Sequence, residues 1–472
     1  MRDLLERVLQ HARDLGAQFA DIRVSEGAGT GVSVQDGTAD KVGTASGQGA
    51  GVRVLVDGAW GFAPTRNVEE AELMRCVQDA ISMARAAAPL VSDPGMVAEI
   101  EPVEDKLEAQ FRVDPREVPL EERVSAVFEL EKLARETDPR IVNTVAGYSD
   151  SSGSRIIANT AGTYIEASDV RCSLRLSVTA QEGDVRQSAL KSQSNGRGYE
   201  LVQDVDPEDF ATKTAEKAVD LLSARRAPAG KFDVVIDPII CGLLVHEAFG
   251  HNCEADAVWS GHSILKGKLG EKVAADTVTI VDDPTYADLN GTLKYDDEGV
   301  PAGRHALVED GSLQGYLHTL ETAARFGVAP GGSGRAQGSF DAPIVRMSNT
   351  YIEPRDWTLE EMLAETKRGL YLSGGHWGYV FTARGQFTCN VEHAYAIEDG
   401  DLTTHYRNVC ISGLTLETLQ KVTHVGNDLS FELGGMCGKD GQSVPVDAGG
   451  PHLRIKDVVV GGQEGGAQGP EE

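Results

Sequence analysis

With 472 residues, the chain is longer than one ordinary hydrophobic core serves, so two or three domains are expected. Its 44 basic against 73 acidic side chains leave a net charge of −29, which argues against nucleic acid, because phosphate binding needs a basic face. A hydrophobic content of 41% with 53 glycines fits a soluble, glycine-rich, strand-and-turn protein, and seven cysteines, an odd number without regular spacing, make no disulfide framework and favour a reducing compartment.

The opening stretch places Leu4, Leu5, Val8, Leu9, Ala12 and Leu15 at helical spacing with charges between them, unlike the unbroken apolar core of a signal peptide. No apolar run is long enough to span a membrane, so a cytoplasmic location is expected. After Gly16 the pattern turns to alternation in ADIRVSE, TGVSVQDG and GAGVRVLVDGAWGFAPT. Broken by Asp-Gly and Gly-rich turns, these predict an antiparallel meander. A second helix over 68–88, closed by Pro89, completes an N-terminal α+β domain of residues 1–95, and the acidic stretch 99–108 reads as a connector.

A middle α+β domain, 108–227, opens with a helix over 119–136 and continues as strands through IVNTVAGYSD, SRIIANT and GTYIEASDVRCSLRLSVTAQ. It ends with a helix over 207–225 capped by Asp206. The C-terminal domain, 230–460, begins with the strand KFDVVIDP, and Pro238 then starts a helix. Further strands are expected at VTIVDD, HALVEDG, GYLHTL, GYVFTARGQFTCNVEHAYAIEDG and PHLRIKDVVV, followed by a polar, disordered tail, 461–472. The fold class is α+β and multi-domain, with antiparallel or mixed sheets and flanking helices.

The chemistry centres on residues 241–256, where His246 and His251 bracket Glu247 in an apolar, small-residue run. Neutral imidazoles are common zinc ligands, and a neighbouring carboxylate can take a proton from water. The familiar H-E-x-x-H pattern puts both histidines on one helical face; here the spacing is one residue longer. Five residues advance about 500° on an ideal helix, leaving the imidazoles roughly 140° apart. They can share one ion only if the helix bulges or ends between them, which Gly250 permits.

A catalytic zinc takes three protein ligands and keeps one position open. By residue type the third is Cys253, Glu254, Cys389, Cys437 or another histidine. Cys437 has the best context, flanked by glycine and followed by Lys439, whose charge favours a thiolate; Cys253 is the local competitor. Glu254 and Asp256 are candidates to orient an imidazole from behind. Cys76, Cys172, Cys241 and Cys410 read as small buried hydrophobes, and the isolated histidines as ordinary polar residues. Gly331-Gly332-Ser333-Gly334-Arg335 lacks the Lys-Ser/Thr of a P-loop and reads as a flexible loop walling the active site.

Several of these stretches, in order, resemble the TldD/PmbA (TldD/TldE) metalloprotease family. They are VRVLVDGAWGFA (52–63), His246-Glu-Ala-Phe-Gly-His251 with Glu254-Ala-Asp256, GEKVA (270–274) into VTIVDD, YDDEGVPAGRHALVEDGSLQGYL, GSGR, Arg346-Met-Ser-Asn-Thr-Tyr351, and CGKDGQSVP (437–445) into Pro451–Ile455. The resemblance covers nearly the whole chain and implies a catalytic, TldD-type zinc peptidase. Such an enzyme cleaves short, unfolded or modified peptides, threaded as an extended strand into a closed chamber. It carries the zinc onto His246, His251 and Cys437, and makes Glu247 the general base acting on a metal-activated water. It also implies a dimer, with a PmbA/TldE-type chain or with itself. Residues 373–389 depart from the GGQV-type segment of standard members, which leaves peptide specificity open. Two rival readings are a non-catalytic binding subunit with a vestigial or structural metal site, and a hydrolase using Cys437 as nucleophile.

Overall fold

The computed structural model describes residues 1–375 and 377–462. Helix α1 (Arg2–Asp14) buries Leu5, Val8, Leu9 and Ala12, the stripe its periodicity demands. Three strands follow, β1 (Phe19–Gln35), β2 (Thr38–Val56) and β3 (Ala59–Thr65), then α2 (Glu70–Ala87), a short β4 (Glu104–Leu107) and α3 (Leu120–Glu136). Strands β5 (Ile141–Asn159), β6 (Tyr164–Glu182) and β7 (Val185–Asn195) complete one seven-stranded sheet in the order β3-β2-β1-β5-β6-β4, with β7 also on β6. Strands of the first two expected units thus pair directly, β1 against β5.

The segments expected as separate short strands are single long ones. β1 runs straight through Gly27-Ala28-Gly29, and these glycines make no turn. They sit where the backbone is crowded: a Cβ on Gly29 would lie 2.6 Å from the Asp150 carbonyl oxygen across the β1–β5 ladder. The length has a purpose in packing. Ala20, Ile22 and Val24 of β1 join the core under α1 and α2, while Val32 and Val34, on the same face by parity, join a second core with α3 and the helix Pro207–Ser223. Asp206 caps that last helix as expected, accepting from the backbone N–H of Glu208 and Asp209.

In the C-terminal part, the strands Gln386–Glu398, Arg368–Ser373, Gly230–Ile236, Leu453–Gly462 and Asp401–Leu414 pair in that order, and the last also pairs with the first. They close into a five-stranded ring with mixed directions. A second sheet sets Asn349–Ile352 parallel to Gln442–Gly450, which in turn pairs with Gly435–Lys439. The short helical segment starting at Pro238 lies against this sheet, Gly242 so close to Ala448 that a Cβ would sit 2.8 Å from its carbonyl. No described helix is long and apolar enough to cross a membrane, and all seven cysteines are free thiols.

Three expectations need correction. GYLHTL is not a strand: Leu317 makes one isolated bridge to Glu254, and Thr319 caps the helix Leu320–Phe326 with a reciprocal Thr319–Thr322 pair. The connector contains β4, parallel to β6. Gly461 and Gly462, assigned to the tail, end the last barrel strand; the remainder of that tail lies outside the described residues.

Between the two parts, Arg53 bridges Asp21 at 2.6 Å and Glu298 at 2.8 Å, all three buried. His318 packs beside Tyr316 and Phe326, and burial, aided by His305, pushes it from 6.5 down to about 4. A depressed histidine stabilises fully above pH 6.5 and loses that contribution as pH falls through about 4, worth ~3 kcal/mol at most. His318→Gln is therefore expected to flatten the acid side of the stability curve. Urea midpoints measured across that window check it, and unchanged slopes would discard it.

Candidate metal centre

The chain from Pro238 to Cys253 changes helix type twice. An α-helical turn, Pro238–Leu243, capped by the Asp237 carboxylate on the Ile240 N–H, widens into a π-helical turn at Leu244–Phe249 and tightens to a 3₁₀ turn at Gly250–Cys253. The wide turn takes up the extra residue of the His246–His251 spacing. The imidazoles consequently face each other, with ring centroids 5.2 Å apart and planes at 80°, where an ideal helix would splay them by roughly 140°. Gly250 is the required residue for a packing reason. Its φ of −57° is ordinary, but a Cβ there would lie 2.0 Å from Met347 Sδ. Gly250→Ala is expected to cost about 1–3 kcal/mol through overpacking, with stability recovered in the double variant Gly250→Ala/Met347→Ala. Thermal unfolding of both chains checks this, and a stable single variant would sink it.

Cys437 comes from the hairpin strand Gly435–Lys439 and reaches the same point. Its Sγ is 3.6 Å from His251 Nε2, and one donor atom from each of His246, His251 and Cys437 lies within 4.8 Å of the others. Among the described residues these three make the one cluster of three or more ligand-type side chains at such range. Cys253 and Cys389 are wholly buried in the apolar core and belong to no such group. The donors suit a divalent ion. Zinc bonds of about 2.3 Å to sulfur and 2.0–2.1 Å to nitrogen put tetrahedral neighbours about 3.6 Å apart, and mixed imidazole and thiolate donors favour zinc among first-row metals. His246 Nδ1 is buried with no hydrogen-bond partner among the described residues, an orphan that calls for one.

The electrostatics agree. Burial would raise the Cys437 thiol, but His246 and then His251 outweigh it and bring it down to about 4. Burial would lower both imidazoles, yet Cys437 lifts His246, and Glu254 with Cys437 lifts His251 well above the ordinary range. Two nitrogens drawn towards protonation and a sulfur towards anion describe a pocket that favours a cation. Behind it, Glu254 Oε2 is 3.0 Å from His251 Nδ1, which fixes the ring with Nε2 towards the sulfur.

Two expectations about the surroundings are corrected. Lys439 turns its Nζ to carboxylates, 2.7 Å from Asp256 Oδ2 and 3.3 Å from Glu254 Oε2, so Asp256 pairs with the lysine and with no imidazole among the described residues. Gly331–Arg335 does not line the site either: Arg335 is buried and turns its guanidinium to the carbonyls of Met347 and Pro445.

Glu247 Oε2 lies 4.0 Å from His251 Nε2, its chain running against Gly378, where a Cβ would come within 2.7 Å of Glu247 Cγ. Burial raises its carboxyl while the imidazoles hold it back. Part of the 373–389 segment is therefore local to this carboxylate: Gly375, Gly378, Tyr379, Val380 and Thr382 wall the same cavity, of about 1310 Å³, onto which His246, Glu247, His251 and Cys437 open. Leu190–Ser194 of β7 also line it, and among the described strands β7 pairs with β6 alone. β7 escaped the sequence reading because VRQSALKSQSN is mostly polar, and Met347 because nothing local marks a residue that packs on a distant glycine.

A mixed α and β architecture thus carries a two-histidine, one-cysteine cluster of the kind that could hold a metal ion, opening on a large cavity. Family profiles agree in order along the chain: PmbA/TldA metallopeptidase domain 1 over residues 20–84, the central domain over 113–222 and the C-terminal domain over 229–462. A metalloprotease of Methanothermobacter thermautotrophicus is 39% identical, covering 98% of this chain and 99% of its own. A protein of Saccharolobus solfataricus named zinc metalloprotease TldD homolog is 27% identical over 97% of this chain and 99% of its own. TldE from Thermococcus kodakarensis, at 20% identity, shares the fold with a TM-score of 0.77 over 97% of this chain and 100% of that one. The chain belongs to the PmbA/TldD metallopeptidase family, and its relatives' names support a peptidase-type role.

Proposed function

We propose that this chain is a zinc-dependent peptidase acting on short, unfolded or modified peptides bound as an extended strand. His246, His251 and Cys437 would hold the ion and Glu247 would be the general base. The convergence of three donor atoms from two distant segments on the wall of one cavity carries the reading. When bound, a divalent ion supplies a Lewis acid that polarises a peptide carbonyl and makes water acidic enough to attack near neutral pH. Glu247 takes the proton from the attacking water and returns it to the leaving amine. Glu254 keeps His251 in one tautomer, its Nδ1–H donated backwards.

Two edge strands face this cavity, β7 from one sheet and Gly435–Lys439 from another, each paired on one side only among the described strands. An extended peptide would be held there mainly through its main chain, so that many sequences fit. We place the activity in the cytoplasm, in keeping with seven free thiols. The working unit is a dimer, with a TldE-type chain or a second copy; the fold shared with TldE supplies the like architecture such a pair needs. The test is metal analysis of the purified chain, alone and with a TldE-type partner, beside a chelator-sensitive assay on unstructured peptides. A metal-free preparation that hydrolyses peptides, or hydrolysis that survives chelation, would overturn the proposal.

A further inference from the structure

Two of the motifs noted in the sequence remain without a role in the chemistry, the Gly331–Arg335 loop and the Arg346–Tyr351 stretch. The structure joins them. Gly334–Arg335 and Ile344–Val345 pair as a short ribbon, and the residues at its base touch both halves of the metal centre. On one side Met347 packs its sulfur on Gly250, between the two histidines. On the other, Arg346 donates from Nη2 to the carbonyl of Cys437 itself and from Nη1 to the Gln442 carbonyl at 3.1 Å, one on each strand of the hairpin. Arg335 adds 2.6 Å and 2.7 Å bonds to the carbonyls of Met347 and Pro445. Lys439 ties the hairpin to the Val345 carbonyl at 3.0 Å and to Asp256.

Both arginines are buried, Arg346 completely, and neither makes an ion pair with a carboxylate among the described residues. Arg346 Nε has no hydrogen-bond partner among the described residues. Burying a guanidinium in this way is expensive, and general stability is more easily had from apolar residues of the same volume. What the guanidinium offers here is a rigid, planar fork that fixes two carbonyls in one plane.

We infer that Arg335 and Arg346 are positioning residues for the metal centre, an arginine bracket that sets the Cys437 thiol at ligand distance from the two imidazoles. This rests on the reading of His246, His251 and Cys437 as metal ligands. Removing the fork lets the hairpin shift by fractions of an ångström, which is enough to misplace a sulfur that must sit within a few tenths of its bond length.

The test uses the full chain. Zinc affinity is measured by competition with a chromophoric chelator, and the Co²⁺-substituted chain is examined for its thiolate-to-cobalt absorption. Arg346→Met is expected to weaken zinc binding about 10–100-fold, the range seen when groups that orient ligands are removed, and to diminish or shift the thiolate band. Arg346→Lys, which keeps the charge and loses the fork, should fall between, and serves alone if the methionine variant does not fold. Arg53→Met, also buried but in the Asp21–Glu298 bridge, should lower thermal stability and leave zinc affinity and the band unchanged. Wild-type affinity and an unaltered band in the folded Arg346 variants would overturn the inference, as would an equal loss in Arg53→Met. Absence of metal from the wild-type chain would overturn the proposed function and this inference together; metal bound equally by wild type and variants would overturn this one alone.

Discussion

A chain carrying Glu247→Gln is expected to keep its full complement of metal while losing peptide hydrolysis by about 10²–10⁴-fold, the usual worth of a positioned base. The amide matches the carboxylate in size, so the close packing against Gly378 is undisturbed, and none of the three donor atoms moves. What disappears is the lone pair that accepts a proton. Metal content and turnover measured on one preparation decide the matter: wild-type hydrolysis in Glu247→Gln would remove Glu247 from the role of base, and loss of metal would make it a ligand.

Cys437→Ser and His246→Ala are expected to lose metal and hydrolysis together. Changes to groups that merely orient ligands weaken binding about 10–100-fold, so removing a donor should cost more than about a hundredfold. Serine retains the hairpin geometry but does not ionise as the Cys437 thiol does at about 4 between its imidazoles. A Cys437→Ser chain that still held one equivalent of zinc would sink the three-donor site. Loss of hydrolysis that chelation of the wild type fails to reproduce would favour the cysteine nucleophile instead.

The helices were plain in the sequence because each keeps one apolar stripe; Leu5, Val8, Leu9 and Ala12 of α1 state their burial by spacing alone. The strands were harder. Gly27 and Gly29 read as a turn because glycine usually relaxes the chain, whereas here it admits the neighbouring backbone of Asp150. β7 carries almost no apolar signal, its place being fixed by pairing with β6. At the site, the H-E-x-x-x-H spacing foretold a distorted helix, and the π-helical turn at Leu244–Phe249 with the 3₁₀ turn at Gly250–Cys253 is that distortion. Asp256 was not legible as the partner of Lys439, because that pairing depends on which way the two side chains turn across a sequence separation of 183 residues.

The ring of strands has an implication for how the molecule is made. Cys437 lies 186 residues after His251, and Leu453–Gly462, which flanks the first barrel strand Gly230–Ile236, comes later still. On the ribosome, therefore, the histidines emerge long before the sulfur, and the barrel stands open along one side until Leu453–Gly462 follows. A centre that needs all three of His246, His251 and Cys437 therefore cannot assemble during synthesis until the Gly435–Lys439 hairpin has followed the histidines out.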